Sequence, residues 1–165
     1  LGYIGTAPER TYGYRTGGKI MINVKEILDQ KGHTAWTISP EAKVFEALEL
    51  MSKKGLGALV VLENDDVVGI VSERDYARKI ILMGRHSQDT PVRDIMTKEV
   101  YGVHYDTTAE ECMALMTDKH IRHLPVCKDG KLAGVISIGD VVKAIMTQQK
   151  VTIENLENYI MGKYQ

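Results

Sequence analysis

Apolar residues recur at helical spacing in two stretches that occupy the same place in their surroundings. Val44, Ala47, Leu48 and Met51 share one helical face, and Ala109, Cys112, Met113 and Met116 share another. Thr107 with Glu110 fits a capping box at the later helix start, and Pro40 suits the entry to the earlier one. Each helix leads into a β-rich run, Ala58 to Leu62 and Leu124 to Cys127. The turns that follow, Asn64-Asp65 and Asp129-Gly130, join these runs to Val67 to Val71 and Leu132 to Ile136. Residues that tolerate positive φ between two apolar runs predict hairpins. Second helices are expected over Arg74 to Met83 and Gly139 to Gln148, and short first strands near Thr37-Ile38 and Gly102-Val103. Each half therefore reads β-α-β-β-α. The tail from Thr152 to Tyr159 is amphipathic, with Ile153, Leu156, Tyr159 and Ile160 on one side. Such a helix is expected to pack back on the body or on a twin subunit.

The two halves are copies. Gly69-Ile70-Val71-Ser72-Glu73-Arg74-Asp75 recurs as Gly134-Val135-Ile136-Ser137-Ile138-Gly139-Asp140, and the same offset holds without a gap from Ile38/Val103 to Ile80/Ile145. A shorter echo, Val24-Lys25-Glu26-Ile27-Leu28 and Val92-Arg93-Asp94-Ile95-Met96, precedes each copy at a slightly longer offset. Asp89-Thr90-Pro91 marks the joint, because proline biases the residue before it away from helix. The expected division is a first unit over 21–88, a second over 89–148 and a C-terminal helix or tail over 149–165. Two half-size units rarely bury a core alone, so they are expected to pack on each other, with a ligand at the seam.

Composition changes this picture little. With 165 residues, 44 % apolar and 26 % charged, the chain is ordinary for a soluble globular protein. A net charge of −1 argues against a general nucleic-acid or anionic-membrane binder. No apolar run approaches the ~18 residues of a membrane span. Cys112 and Cys127 form no CxxC pair and read as buried core residues of a reducing compartment. No signal peptide is visible, so a cytoplasmic location is expected. Residues 1–20, rich in Gly, Tyr, Thr and Arg, read as a leader outside the fold, disordered or of upstream origin.

The chemistry worth weighing sits where strand hands over to helix. In Gly-x-x-Ser-x-x-Asp, the glycine admits close backbone approach and the serine hydroxyl can donate to a phosphate oxygen. The aspartate can accept two ribose hydroxyls. The same Ser-x-x-Asp spacing at Ser72/Asp75 and Ser137/Asp140 also matches plain helix capping, and local chemistry leaves both readings open. Arg122-His123-Leu124-Pro125 opens a strand, and the arginine fork suits phosphate. His120 and His123 lack a third metal ligand at diagnostic spacing. No Gly-x-x-x-x-Gly-Lys loop, Gly-x-Ser-x-Gly elbow or His-Glu-x-x-His appears. Trp36 reads as a packing residue within reach of a ligand.

The repeat, the element order and the Gly-x-x-Ser-x-x-Asp motif resemble the cystathionine-β-synthase-type (CBS) domain, present as a tandem pair or Bateman module, over about Val24 to Gln148. Ser72-Glu73-Arg74-Asp75-Tyr76 and Arg122-His123-Leu124-Pro125-Val126 look like stand-alone bacterial CBS-pair proteins. The resemblance implies an α/β (α+β) fold of two β-α-β-β-α units packed with pseudo-two-fold symmetry. It also implies two clefts for adenosyl compounds such as AMP, ADP, ATP, NAD or S-adenosylmethionine, with no metal required. By that pattern Asp75 and Asp140 each hold a ribose, Ser72 and Ser137 face ribose or phosphate, and Ile70 and Ile136 wall the adenine. Thr37, Ile38 and Val103 lie where first-strand backbone meets adenine. Arg122 and His123 match the basic pair that contacts phosphates in related modules, including the γ subunit of AMP-activated protein kinase. Leu124 and Pro125 follow that pair, and Ile138 and Gly139 lie within the second motif. The repeat partners of Arg122 and His123 are Gly57 and Ala58, so one half lacks the pair, with Arg74 (counterpart Gly139) as a substitute charge. The expectation is that the Asp140 cleft is better equipped for phosphate.

The expected function is a regulatory sensor of adenine nucleotides, a homodimer without catalytic activity that acts on an unknown regulated protein. An empty dimerisation scaffold for a partner protein is the first alternative. An enzyme acting on a nucleotide is the second, weakened by the lack of a paired general acid and base.

Overall fold

The computed structural model describes residues 4–5 and 21–162. Each half is built on an antiparallel hairpin. Strands β3 (Ala58–Glu63) and β4 (Asp66–Ser72) set Val60 opposite Ile70, and β6 (His123–Lys128) and β7 (Lys131–Ser137) set Pro125 opposite Val135. The turns take the conformation their residues allow: Asn64, Asp65, Asp129 and Gly130 all have positive φ. Both hairpins slip register at equivalent places, Val61/Leu62 and Val126/Cys127.

Helices α2 (Val44–Lys54) and α4 (Ala109–Lys119) cover these hairpins. The cap of α4 is Thr108 with Glu111, not Thr107 with Glu110. Thr107 is engaged one turn earlier, where its hydroxyl oxygen accepts from the His104 N–H at 3.2 Å. Helix α2 likewise starts later than Pro40 suggests, at Val44. Strand β2 (Thr37–Ile38) runs parallel to β3. Its counterpart shrinks to a single bridge, Val103 to Val126, preceded by β5 (Val100–Tyr101). Most of the leader lies outside the described residues; Ile4–Gly5 form β1, parallel to β5.

The second helices differ. After Ser72 the chain makes one turn of α3 (Glu73–Tyr76) and widens into a π-turn over Ala77–Ile81. After Ser137, α5 runs unbroken from Ile138 to Ile160 and takes in the amphipathic tail.

The two hydrophobic cores are assembled by exchange. Helix α1 (Val24–Lys31) is capped by Asn23 and Glu26 and precedes the first half in the chain. Its Val24, Ile27 and Leu28 are nonetheless buried with Cys112, Met116, Leu124 and Ile136 of the second. The matching segment, Val92 and Ile95, is buried with Val44, Met51, Leu59 and Ile80 of the first. Backbone bonds pin both arms: Val24 N–H to Thr107 O (2.8 Å) and Ala109 N–H to Ile22 O (2.9 Å), against Val44 N–H to Thr90 O (2.9 Å) and Val92 N–H to Ala42 O (2.8 Å). A third cluster of Val60, Val67 and Val100, joined by Leu132 and Val135, closes the seam.

The motif glycines serve this exchange. A Cβ on Gly134 would stand 2.8 Å from the Leu28 Cδ2, and one on Gly69 would stand 2.6 Å from the Met96 Sδ. Each glycine leaves room for the arm of the other half to lie against the strand.

Candidate functional site

Both Ser-x-x-Asp motifs are helix caps. The Ser72 hydroxyl oxygen accepts from the Asp75 N–H at 3.3 Å, and Asp75 Oδ2 accepts from the Ser72 N–H and hydroxyl at 2.9 Å each. Ser137 and Asp140 repeat this at 3.3, 2.7 and 3.0 Å. Capping does not exhaust the carboxylates. Asp75 Oδ1 also accepts from Lys79 Nζ at 2.8 Å and, at a long 3.4 Å, from the Thr97 hydroxyl. Asp140 Oδ2 takes a third donor, Lys31 Nζ of α1, at 2.6 Å.

Asp75 borders a cavity of about 530 Å³ between the halves. Of the expected site residues the cavity gathers Gly57, Ala58, Ile70, Ser72, Arg74, Asp75, Arg122 and His123. Thr37, Ile38, Val103, Leu124, Pro125, Ile136, Ser137, Ile138, Gly139 and Asp140 are not among its lining residues. Val103, Leu124 and Ile136 are instead buried in the second core, and Ile38 packs against the first. Trp36 is also outside; Lys54 Nζ lies 4.0 Å from the centre of its ring.

The basic pair borders the cavity of Asp75 while His123 also feels the charge of its own half's Asp140. Arg122 and His123 line the Asp75 cavity, not a cleft belonging to Asp140 alone. The packing of one half on the other explains this, because the start of β6 in the second half lies against Gly57 and Arg74 of the first. Gly57 looks onto His123, whose Cε1 lies 3.5 Å from where a Gly57 Cβ would be, and Arg74 Nη1 donates to His120 O at 3.3 Å. The sequence reading also missed Glu73, Arg78, Lys79 and Ile121, and, between Thr97 and Tyr101, all but Lys98. Lys79 had a signal, standing one helical turn beyond Asp75. Thr97 to Tyr101 had none, since it arrives through the exchanged arm. Tyr101 donates to Glu99 there at 2.5 Å, which adds an acidic pole to a cavity otherwise rich in arginine.

Burial pushes the Asp140 carboxyl up, but the bonds from Lys31 and from the Ser137 N–H and hydroxyl outweigh it and hold the group below the usual aspartate range. Burial, with the charges of Lys31 and Arg122, pushes the His123 imidazole down against a smaller opposing pull from Asp140. The shift favours the neutral form of His123. Burial lifts the Cys112 thiol to about 12 and raises Cys127 as well, so neither is a ready nucleophile. Among the described residues no group of three or more His, Cys, Asp or Glu side chains is arranged for a metal, and no helix is long and apolar enough to cross a membrane.

A family model of the CBS domain matches residues 24–82 and again 92–147. The chain belongs to the CBS-domain family. It is 40 % identical over 151 residues to the mitochondrial CBS domain-containing protein CBSX3 of Arabidopsis thaliana, covering 86 % of this chain and 73 % of that one. A solved CBS-domain structure from Burkholderia ambifaria, described as a candidate signal-transduction protein, is 48 % identical with a TM-score of 0.74. That match covers 77 % of this chain and 96 % of the other. The CBS domain pair of protein MJ0100, solved with 5′-methylthioadenosine and S-adenosyl-L-methionine, shares the fold at a TM-score of 0.70 and 21 % identity, covering 78 % and 99 % of the two chains. In this CBS pair the two family units coincide with the two copies of the repeat, and the Asp75 cavity lies between them.

Proposed function

We propose that this CBS pair is a regulatory module that binds an adenine nucleotide, AMP, ADP, ATP or NAD, in the Asp75 cavity. One observation carries the reading: a cavity of about 530 Å³ between the units holds a carboxylate and a cluster of cations from both halves. That volume suits a small-molecule ligand. Asp75 is the acceptor for a ribose diol, whose hydroxyl would take the place of the long Thr97 contact. Arg74, Arg78 and Arg122 offer planar donors to phosphate oxygens, and Ala58, Ile70 and Val100 supply apolar wall for a base. The reading is of binding without turnover, because the Asp75 carboxylate already accepts from its cap partner Ser72 and from Lys79 and so is placed to hold a ligand and not to move a proton. A ligand that touches both halves shifts their arrangement by as much as its affinity differs between arrangements.

Calorimetric titration of the full chain with AMP, ATP and NAD tests this. Asp75→Asn should weaken binding about tenfold to a hundredfold, the worth of a hydrogen bond to a charged group. Asp140→Asn should leave it unchanged. Failure of all three ligands to bind folded protein at millimolar concentration overturns the reading.

A further inference from the structure

Helix α5 leaves the body of the protein part-way along its length. Up to Gln148 it is held: Val141, Ala144 and Gln148 are buried, and Gln148 accepts from the Ile22 N–H and donates to Glu110. Beyond that point Ile153 and Leu156 are each 56 % exposed and Ile160 is 80 % exposed. The amphipathic tail does not fold back onto its own core.

The exposed residues are ordered. Val142, Met146, Gln149, Ile153, Leu156 and Ile160 follow one another at alternating steps of four and three, and all six are exposed. That spacing is the seam of a coiled coil, in which apolar positions a and d meet a partner helix. We propose that a second copy of this chain covers the seam, the segments 149–160 of two α5 helices packing antiparallel about a two-fold axis.

Charge decides the direction. In this register Lys150 and Glu157 occupy the same flanking position of successive heptads. An antiparallel pair with Ile153 of one copy layered on Leu156 of the other sets each Lys150 beside the other copy's Glu157, twice by symmetry. A parallel pair would oppose Thr152 to Glu157 and Ile145 to Lys150, with no ion pair at either place. The antiparallel pair also sets the two bodies at opposite ends of the helix pair. Lys150 is free to make the contact, since its bond to Glu154 within the helix is a loose 3.9 Å on an exposed surface. Gln149 is layered on Ile160 at the ends of the seam, where its amide stays in water. The surface is independent of the nucleotide cavity.

Sedimentation of the full chain over a concentration series tests the proposal. The wild type should be a dimer, and Leu156→Asp a monomer with unchanged helix content and ligand affinity. Lys150→Glu should raise the dimer dissociation constant about tenfold, as two exposed attractions become repulsions. The double change Lys150→Glu with Glu157→Lys should restore the wild-type value. A monomeric wild type overturns the proposal, as does a dimer that survives Leu156→Asp, which would place association on another exposed face such as Ile81 to Met83. A charge reversal that the double change does not repair overturns the antiparallel register.

Discussion

Asp75 and Asp140 cap their helices in the same way, yet the lysine on each arrives by an opposite route. Lys79 stands one turn along from Asp75 and reaches out to the exchanged arm, donating to Ile95 O at 2.6 Å. Lys31 stands on the exchanged arm itself and reaches in to Asp140, 109 residues away, and to Val135 O at 2.9 Å. Both lysines clasp a motif aspartate to an arm, one from the body and one from the arm. The repeat does not preserve either: Ala144 occupies the place of Lys79, and Glu99 the place of Lys31 in the echo. A duplicated fold thus keeps the geometry that closes its cores while the residues that fasten it diverge. The divergence also decides chemistry, since Lys79 and Glu99 both line the cavity.

The glycines break this comparison most strongly. An added methyl at Gly134 meets both Leu28 Cδ atoms, at 2.8 and 2.9 Å, and Leu28 is fully buried. The methyl at Gly69 meets the Met96 Sδ at 2.6 Å and the Thr97 O at 3.2 Å. Met96 is unbranched and partly exposed, so it can swing aside, while Leu28 has nowhere to go. Gly134→Ala should cost about 2–3 kcal/mol and Gly69→Ala about 1 kcal/mol, both within the range for overpacked cores. Urea unfolding of the two variants measures the difference. Equal costs, or the reverse order, would mean that the two arms are seated by different contacts.

The sequence shows what is local and hides what is exchanged. The hairpins are legible because Asn64-Asp65 and Asp129-Gly130 suit positive φ, and the helices because their apolar faces repeat. The crossing of α1 and of Val92 to Met96 between halves is not legible, because periodicity says which face is apolar but not which core receives it. The only trace is that the echo keeps a different offset from the rest of the repeat. The site follows the same rule. Arg122, His123, Ser72 and Asp75 stand out by type and spacing, but which aspartate's cavity the basic pair borders depends on how the halves pack. The length of α5 was obscured by Gln148-Gln149-Lys150, which reads as a polar break. Gln148 is tolerated inside because Ile22 and Glu110 satisfy its amide.

The Lys31 clasp sharpens the comparison at a smaller scale. Lys31 is about a third exposed, so a double-mutant cycle of Lys31→Met with Asp140→Asn should give a coupling of only about 0.5–1 kcal/mol. The folded carboxyl titrates below its unfolded value, so this stability is complete above the ordinary aspartate range. It is lost as pH falls through the folded pKa, and the coupling should vanish once Asp140 is protonated. Hydrogen exchange adds the spatial test. Lys31→Met should speed exchange in α1, whereas Lys79→Met should leave α1 untouched. Matching effects on α1 would show that the two clasps are not independent.

The smallest effect falls on His123, whose repeat partner is Ala58, so only one half carries a titrating group at this point. Burial holds the folded imidazole below its ordinary pKa. As pH falls through about 6.5 the unfolded chain takes up the proton first, so acidification favours unfolding. The loss of stability between about pH 7.5 and 5.5 should therefore be smaller in His123→Asn than in the wild type. The His123 ring signal followed by NMR should titrate below a free imidazole, and a midpoint at or above that value removes the argument. Adding AMP should then raise the midpoint, because a phosphate beside the ring stabilises the imidazolium. An unmoved midpoint in the bound state would put the phosphate against Arg74 and Arg78, on the first half's side of the cavity, and not against the Arg122-His123 pair.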